Sequence, residues 1–388
     1  MTPRNVKILY ISNLFIGLRF FAAIQIIYFV SVTKSFALGM SLFSIATISQ
    51  AILELPTGIF SDTIGRKRTT VLSALSAFLS VTFYAIGHNY TFLLCGAIIE
   101  GLARALGSGN NEALLHDSLK ETNKESLYYK YQGKIGAFQS AGFGIAALVG
   151  GFIATFSFPL AVWLSALTQG IAFLSTLFLK EPSVYTKSEL NPYAHLKESI
   201  IAFKENPRLR LLTLSKTMKE SLSEASYQFS TVFVNMLWPL WAIGIIKTLQ
   251  NFLSVISFHI SGRVIEKYKE LKTLAMQFMI DRILNITAYA FPTVVSPILL
   301  ASSSITYGIS QVAESSLMQK EFTDKQRATM GSLDSIVVSL GFAIGSIAIG
   351  FLADIFGPAK TLLLAQILLL PGFLLYRKMF SHEKSVMK

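Results

Sequence analysis

Arg19, Glu100, Arg104, Glu220, Glu224 and Glu314 each stand inside a long apolar stretch of this sequence. A charge in hydrocarbon costs several kcal/mol unless it is paired or wetted, so each needs a reason to be there. Glu100 and Arg104 are four apart and share one helix face. Glu220 and Glu224 do the same, with Lys216 one turn earlier and Lys219 adjacent. The chemistry open to such groups is proton exchange. Drying favours a neutral carboxyl and a nearby cation favours a carboxylate, so an alternating environment loads a proton and releases it elsewhere. On this logic Glu100 beside Arg104 is the first proton-coupling candidate and Glu224 the second. The plainer alternative for Glu100 and Arg104 is an intrahelical ion pair. Arg19, Glu220, Glu224 and Glu314 are candidates to line a polar cavity. Glu314, with Glu112 and Asp117, lies near a cytoplasmic helix end, which suits an interfacial or gating residue better than a substrate ligand. Lys247 and Asp281 are available to each other as a structural pair.

Other chemistries find no support. No Gly-x-x-x-x-Gly-Lys-Ser/Thr run is present to hold ATP. His88, His116, His195, His259 and His382 lack the spacing of a zinc site, so no metal is expected. Cys95 is alone, which excludes an intramolecular disulfide. No nucleophile elbow occurs. The reading is therefore not an enzyme, with no catalytic residues and no cofactor, and the proton gradient is left as the energy source.

The elements that must position these residues are long apolar helices. Of 388 residues, 52% are hydrophobic and 14% charged, where a soluble domain is about 25% charged. Twelve stretches suit helical spans of roughly 20 residues: 7–33, 37–60, 70–88, 91–117, 130–155, 158–180, 211–235, 238–263, 272–292, 295–319, 327–353 and 360–378. This gives a six-helix bundle over 1–180, a linker over 181–210 and a second bundle over 211–388. Leu196, Ile200, Ile201 and Phe203 recur at helical spacing in the linker, so it is expected to carry an amphipathic surface helix. Arg4, Lys7, Arg66, Lys67, Arg68, Lys120, Lys124, Lys130, Lys134 and the cations of later alternate loops and the tail fall on one side. Only Lys34 and Lys360 fall on the other. By the positive-inside rule both termini are cytoplasmic. The net charge of +12 then faces the inner leaflet, with no need of nucleic acid.

The halves repeat. Gly142-Phe143-Gly144-Ile145, Gly151-Phe152-Ile153-Ala154 and Pro159 match Gly341-Phe342-Ala343-Ile344, Gly350-Phe351-Leu352-Ala353 and Pro358 at a constant offset of 199. Gly58 and Asp62 match Gly262 and Glu266, and Glu112 matches Glu314. A six-plus-six parallel repeat places a substrate site where the halves meet.

The loop after the second span reads Gly58-Ile59-Phe60-Ser61-Asp62-Thr63-Ile64-Gly65-Arg66-Lys67-Arg68. It resembles the signature Gly-x-x-x-Asp-x-x-Gly-Arg-Lys/Arg between spans 2 and 3 of major facilitator superfamily transporters, and the resemblance covers essentially the whole chain. It implies an all-α membrane fold of twelve spans. It also implies that Gly58, Asp62, Gly65, Arg66 and Lys67 form a conformational latch, and that spans 1, 4, 7 and 10 line the cavity. The second copy is degraded, since Glu270, Leu271 and Lys272 replace the basic run. Gly142, Gly150 and Gly151 in span 5 partly resemble the antiporter pattern, with Ala146-Ala147 in place of its Gly-Pro. They equally suit tight helix packing. Ala97 takes the place of the Arg usual in proton-coupled members.

The expected protein is a monomeric bacterial inner-membrane transporter working by alternating access. It would bind protons and a small molecule and export the latter, as drug exporters do. A proton-coupled importer of a small anionic metabolite is the rival, favoured by Arg19 and Arg104. A non-transporting receptor or scaffold on the same fold is the alternative of another class, and it would need no latch.

Overall fold

In this computed structural model, residues 3–183, 207–321 and 327–373 are described. The expected amphipathic linker helix falls outside them. The helices are α1 (Arg4–Gly17), α2 (Gln25–Thr33), α3 (Phe36–Ile64), α4 (Arg66–Ile86), α5 (Tyr90–Gly107), α6 (Asn110–Lys120), α7 (Tyr128–Phe156) and α8 (Phe158–Thr176). They continue with α9 (Pro207–Leu237), α10 (Leu240–Tyr268), α11 (Glu270–Ala290), α12 (Ser296–Ser302), α13 (Tyr307–Glu321), α14 (Arg327–Phe356) and α15 (Pro358–Leu369). No strand occurs among the described residues. Helix covers most of the described part of each of the twelve expected segments. Eight segments among the described residues are long and apolar enough to cross a membrane.

Local chemistry fixes the ends. Asn89 accepts from the Phe92 N–H to start α5, and Ser157 accepts from the Leu160 N–H to start α8. Pro159 and Pro358, the matched prolines of the repeat, both sit in the first turn of a helix, where a missing N–H costs nothing.

The chain clusters into two compact units. One comprises Met1–Lys34, Ser41–Glu189 and Leu240–Gly244; the other comprises Ser35–Met40, Leu190–Pro239 and Ile245–Lys388. In the first, α1 packs on α7 and α8, and α4 packs on α5 and α8. In the second, α9 packs on α14 and α15, and α11 packs on α12, α13 and α15. These are the same pairings shifted by six spans, so the sequence repeat is also a repeat of packing.

Three expected spans are interrupted, which hydrophobicity alone does not show. The first breaks between Gly17 and Gln25, with only a short 3-10 turn over Ala22–Ile24. Backbone freed inside hydrocarbon must find partners in the protein, and α8 supplies them. Thr168 donates to the Leu18 carbonyl at 2.6 Å, Gln169 donates to the Phe15 and Ile16 carbonyls at 3.2 Å, and Ser165 accepts from the Phe21 N–H at 3.3 Å. The fourth span breaks at Ser108-Gly109, where Gly109 takes φ +67°. The tenth breaks between α12 and α13.

Gly65 and Lys269 stand at matched positions of the two copies of the loop motif. Their backbones are φ 100°, ψ 158° and φ 64°, ψ 159°, a region essentially reserved for glycine. The second copy has kept the turn and lost the residue that makes it cheap. A Cβ on Gly65 would also meet the Glu181 carboxylate at 2.9 Å. Gly65→Ala should therefore cost about 1–3 kcal/mol and lower the thermal midpoint of the purified protein. Lys269→Gly should not lower it, because strain relief offsets the roughly 1 kcal/mol of extra unfolded-chain entropy. Equal losses in both variants would remove the argument.

Candidate functional site

The break in the first span puts Arg19 in irregular backbone rather than on a helix face. Its guanidinium reaches Glu100 on α5, with both terminal nitrogens 3.2 Å from Oε1. Arg104, one turn along α5, donates to the same oxygen at 2.7 Å. The Tyr84 hydroxyl of α4 donates to Oε2 at 2.8 Å. Glu100 is almost fully enclosed, at 7% side-chain exposure, whereas Arg104 is 43% exposed. The cluster therefore buries one carboxylate under two guanidiniums and a phenol and turns one cation outward. Phe21, Phe29 and Tyr84 pack around it at steep ring angles, and the Arg19 guanidinium lies 5.4 Å from the Phe21 ring centre. The Tyr84 carbonyl is held in turn by the Tyr28 hydroxyl.

The second unit carries a different arrangement. Lys219 of α9 bridges Ser310 and Glu314 of α13, with 3.1 Å to the carboxylate. Glu220 accepts from Gln311 at 3.2 Å and lies 3.8 Å from Lys216. Glu224 is exposed and accepts from Gln228 at 2.7 Å. Lys247 of α10 places its Nζ 3.5 Å from the centre of the Tyr227 ring, within electrostatic reach of Glu224. It makes no hydrogen bond or ion pair among the described residues. The suggested pairing of Lys247 with Asp281 does not form. Asp281 is taken by Arg282 at 2.6 Å and by Asn285, because their places on one helix bring them together first.

At the loop after α3, Arg66 donates to Ser61 at 2.9 Å and lies 3.9 Å from Asp117. Asn110 ties Ser61, Thr70 and the Arg66 carbonyl together. Glu181, just past α8, caps α4 by accepting from the Arg66 and Lys67 N–H groups at 2.6 and 3.0 Å. Gly58 is exposed. The side chain of Asp62 falls outside the description, and so does that of Asp334.

The three span-5 glycines are all places of close backbone approach. A side chain at Gly142 would overlap Leu14 and Gly17, and one at Gly150 would overlap the Phe20 carbonyl. Gly151 faces the Leu240 and Trp241 carbonyls. Its repeat partner Gly350 likewise faces the start of a helix, at Phe36 and Ala37.

Sequence reading misses Tyr84, Asp354 and the aromatic partner of Lys247. Tyr84 lies in the third span and gives no signal at the spacing of Glu100. Asp354 accepts from Ser35 and from the Phe36 and Ala37 N–H groups at 2.7–3.0 Å, capping the start of α3. The repeat does not flag it, since the matched position is Thr155. Lys247 itself is visible as a charge in an apolar run. No cluster of metal-binding side chains occurs among the described residues.

Comparison with known proteins agrees with this architecture. An uncharacterised MFS-type transporter of Methanocaldococcus jannaschii is 19% identical over 366 residues, covering 92% of this chain and 93% of that one. The class B tetracycline resistance protein of Escherichia coli is 24% identical over 329 residues, covering 79% and 76%. The crystal structure of a mutant of the nucleoside transporter NupG superposes with a TM-score of 0.84 at 15% identity, over 97% of this chain and 100% of that one. A bacterial homologue of the human lysosomal transporter Spinster, inward-facing and unoccupied, gives 0.77 at 14% identity, over 97% and 96%. The Major Facilitator Superfamily model matches residues 9–346, and the chain belongs to that family of membrane transporters.

Proposed function

We infer that this chain is a twelve-span, monomeric secondary transporter with both termini in the cytoplasm of a bacterial inner membrane. It exports a small lipophilic molecule in exchange for protons. The observation that carries the reading is Glu100, enclosed and held by Arg19, Arg104 and Tyr84. Four hydrogen bonds occupy its oxygens. The guanidinium donors crowd Oε1 while Oε2 accepts only from Tyr84, and protonation would remove the charge that both arginines pair with, so proton uptake is favoured when the arginines move away. That dependence ties protonation to conformation, which is what exchange by alternating access needs. Glu224, an exposed carboxylate beside Tyr227, is the second proton site and a ligand for a cationic group. Arg19, Glu220 and Glu314 complete the polar lining. The loop residues Gly58, Asp62, Gly65, Arg66 and Lys67 serve as the latch, Gly142 and Gly150 let spans 1 and 5 pack closely, and Gly151 lets span 5 meet the start of α10. The similarity to drug-resistance proteins supports export. The rival, import of an anionic metabolite, is favoured by the two guanidiniums set against one carboxylate.

Cells expressing the chain should exclude a fluorescent lipophilic cation, and a protonophore should abolish the exclusion. Asp62→Asn and Glu100→Gln should both fail to exclude it, with Glu100→Gln retaining dye binding or exchange. Full gradient-driven export by Glu100→Gln would sink the assignment. If no dye differs from empty-vector cells, export of lipophilic cations loses its support and anionic metabolites come first.

Lys247 separates the two substrate readings. Like charges near a protein surface repel by about 1 kcal/mol or more. If Glu224 takes a cationic substrate, Lys247→Gln lowers the half-saturating dye concentration about fivefold. No change in that value would remove Glu224 as the cation ligand, whereas a higher half-saturating concentration of an anionic substrate in Lys247→Gln would make Lys247 its ligand and favour the importer.

A further inference from the structure

The ends of α3, α4 and α8 enclose a groove of about 870 Å³ whose lining includes Ile64, Lys67, Arg68, Val71, Leu72 and Leu177. Its charges are unequal in their freedom. Glu181 also borders it, but both its oxygens are used by the Arg66 and Lys67 N–H groups. Arg66 turns away to Ser61 and Asp117. Lys67 and Arg68 have no anionic partner among the described residues, and Arg68 is exposed. The groove therefore offers two cations with no carboxylate partner among the described residues, beside a carboxylate already used by backbone N–H groups.

The rest of its lining is largely apolar. It includes Ile64, Val71 and Leu72, with Leu177 44% exposed and the adjoining Phe178 64% exposed. α4 and α8 are both among the segments long and apolar enough to cross a membrane. Lys67 and Arg68 belong to the first turn of α4, and Leu177 follows the last residue of α8. The cations thus sit at the start of one span and beside the end of another, where headgroups lie, and Val71 and Leu72 follow them further along α4. A soluble anion would use the cations and leave the apolar lining empty. A phospholipid uses both.

We propose that this groove is a specific site for one anionic phospholipid, its phosphate on Lys67 and Arg68 and an acyl chain along Val71, Leu72 and Leu177. The site does not rest on any reading of substrate or coupling. It requires only that α4 and α8 cross the bilayer. Occupancy would brace the loop that carries Gly65 and Arg66 from its lipid side.

The test is titration of the purified protein, in phosphatidylcholine nanodiscs, with fluorescent phosphatidylglycerol. Wild type should bind one equivalent saturably. Unlabelled phosphatidylglycerol should compete, while glycerol 3-phosphate and phosphatidylcholine should not. Lys67→Gln with Arg68→Gln should weaken binding at least tenfold. Lys120→Gln with Lys124→Gln, which removes two basic residues elsewhere, should change it less than twofold. Leu177→Glu leaves the loop residues in place and should also abolish binding, which keeps the test valid if the double variant fails to fold. Equal weakening by the two double variants would reduce the site to diffuse charge attraction. Competition by glycerol 3-phosphate would make it a soluble-anion site. Either result overturns the proposal.

Discussion

Backbone amides and carbonyls inside hydrocarbon must be satisfied by the protein itself, and much of the first unit is organised around one local violation of helical continuity. The first span breaks at Leu18, and the break survives because Ser165, Thr168 and Gln169 stand on α8 where the exposed backbone needs them. Gly142 and Gly150 allow α7 to approach the same segment closely. Only with the helix interrupted does Arg19 reach Glu100. A polar cluster that looks like a pairing of two side chains thus depends on three hydroxyl and amide groups in another span and on two missing side chains in a third.

The repeat shows what duplication preserves and what it lets drift. Packing pairs are the same in the two units, because complementary helix faces are expensive to rebuild. The matched glycines Gly151 and Gly350 still face helix starts. Polar chemistry has diverged. The first unit concentrates its donors on one enclosed carboxylate. The second spreads Glu220, Glu224 and Glu314 among three lysines, with Lys219 close to Glu314 and Lys247 against an aromatic ring. Even the strained turn before α11 has been kept with Lys269 in place of glycine.

The all-helical character, the positions of the twelve helical segments and the family are legible in the sequence. Apolar length is a property of contiguous residues. The loop 58–68 is legible for the same reason, since its glycines and cations act at short range. Features that depend on contacts across the fold are not. The breaks at Gly17–Gln25 and between α12 and α13 carry no proline, and the residues that permit the first are about 150 positions away. Tyr84 reaches Glu100 from a different span. Lys247 stands out in its apolar run, but a neighbouring arginine claims the aspartate that spacing offers it. The packing role of Gly142 and the coupling role of Glu100 are both suggested by spacing. Contact geometry describes the first and supplies the arrangement from which the second is argued.

Glu100 and Glu224 illustrate why the two proton-site candidates are not interchangeable. A carboxylate holding four hydrogen bonds, three of them from guanidiniums, loses its charge pairing with two arginines when it takes a proton, so its protonation favours a rearrangement of its donors. In the proposed exchange that makes Glu100 the conformationally coupled group. Glu224 holds an amide donor and is open, so it can meet a proton or a cationic substrate without moving its neighbours. The proposed proton exchange uses both kinds of group: one that discriminates among ligands at low structural cost, and one whose protonation is tied to the structure around it. In that proposal the first unit supplies the second kind, because the broken span delivers an extra arginine to Glu100. In the same proposal the second unit supplies the first kind, because its lysines lie against Glu220, Glu314 and Tyr227 and none forms an ion pair with Glu224 among the described residues.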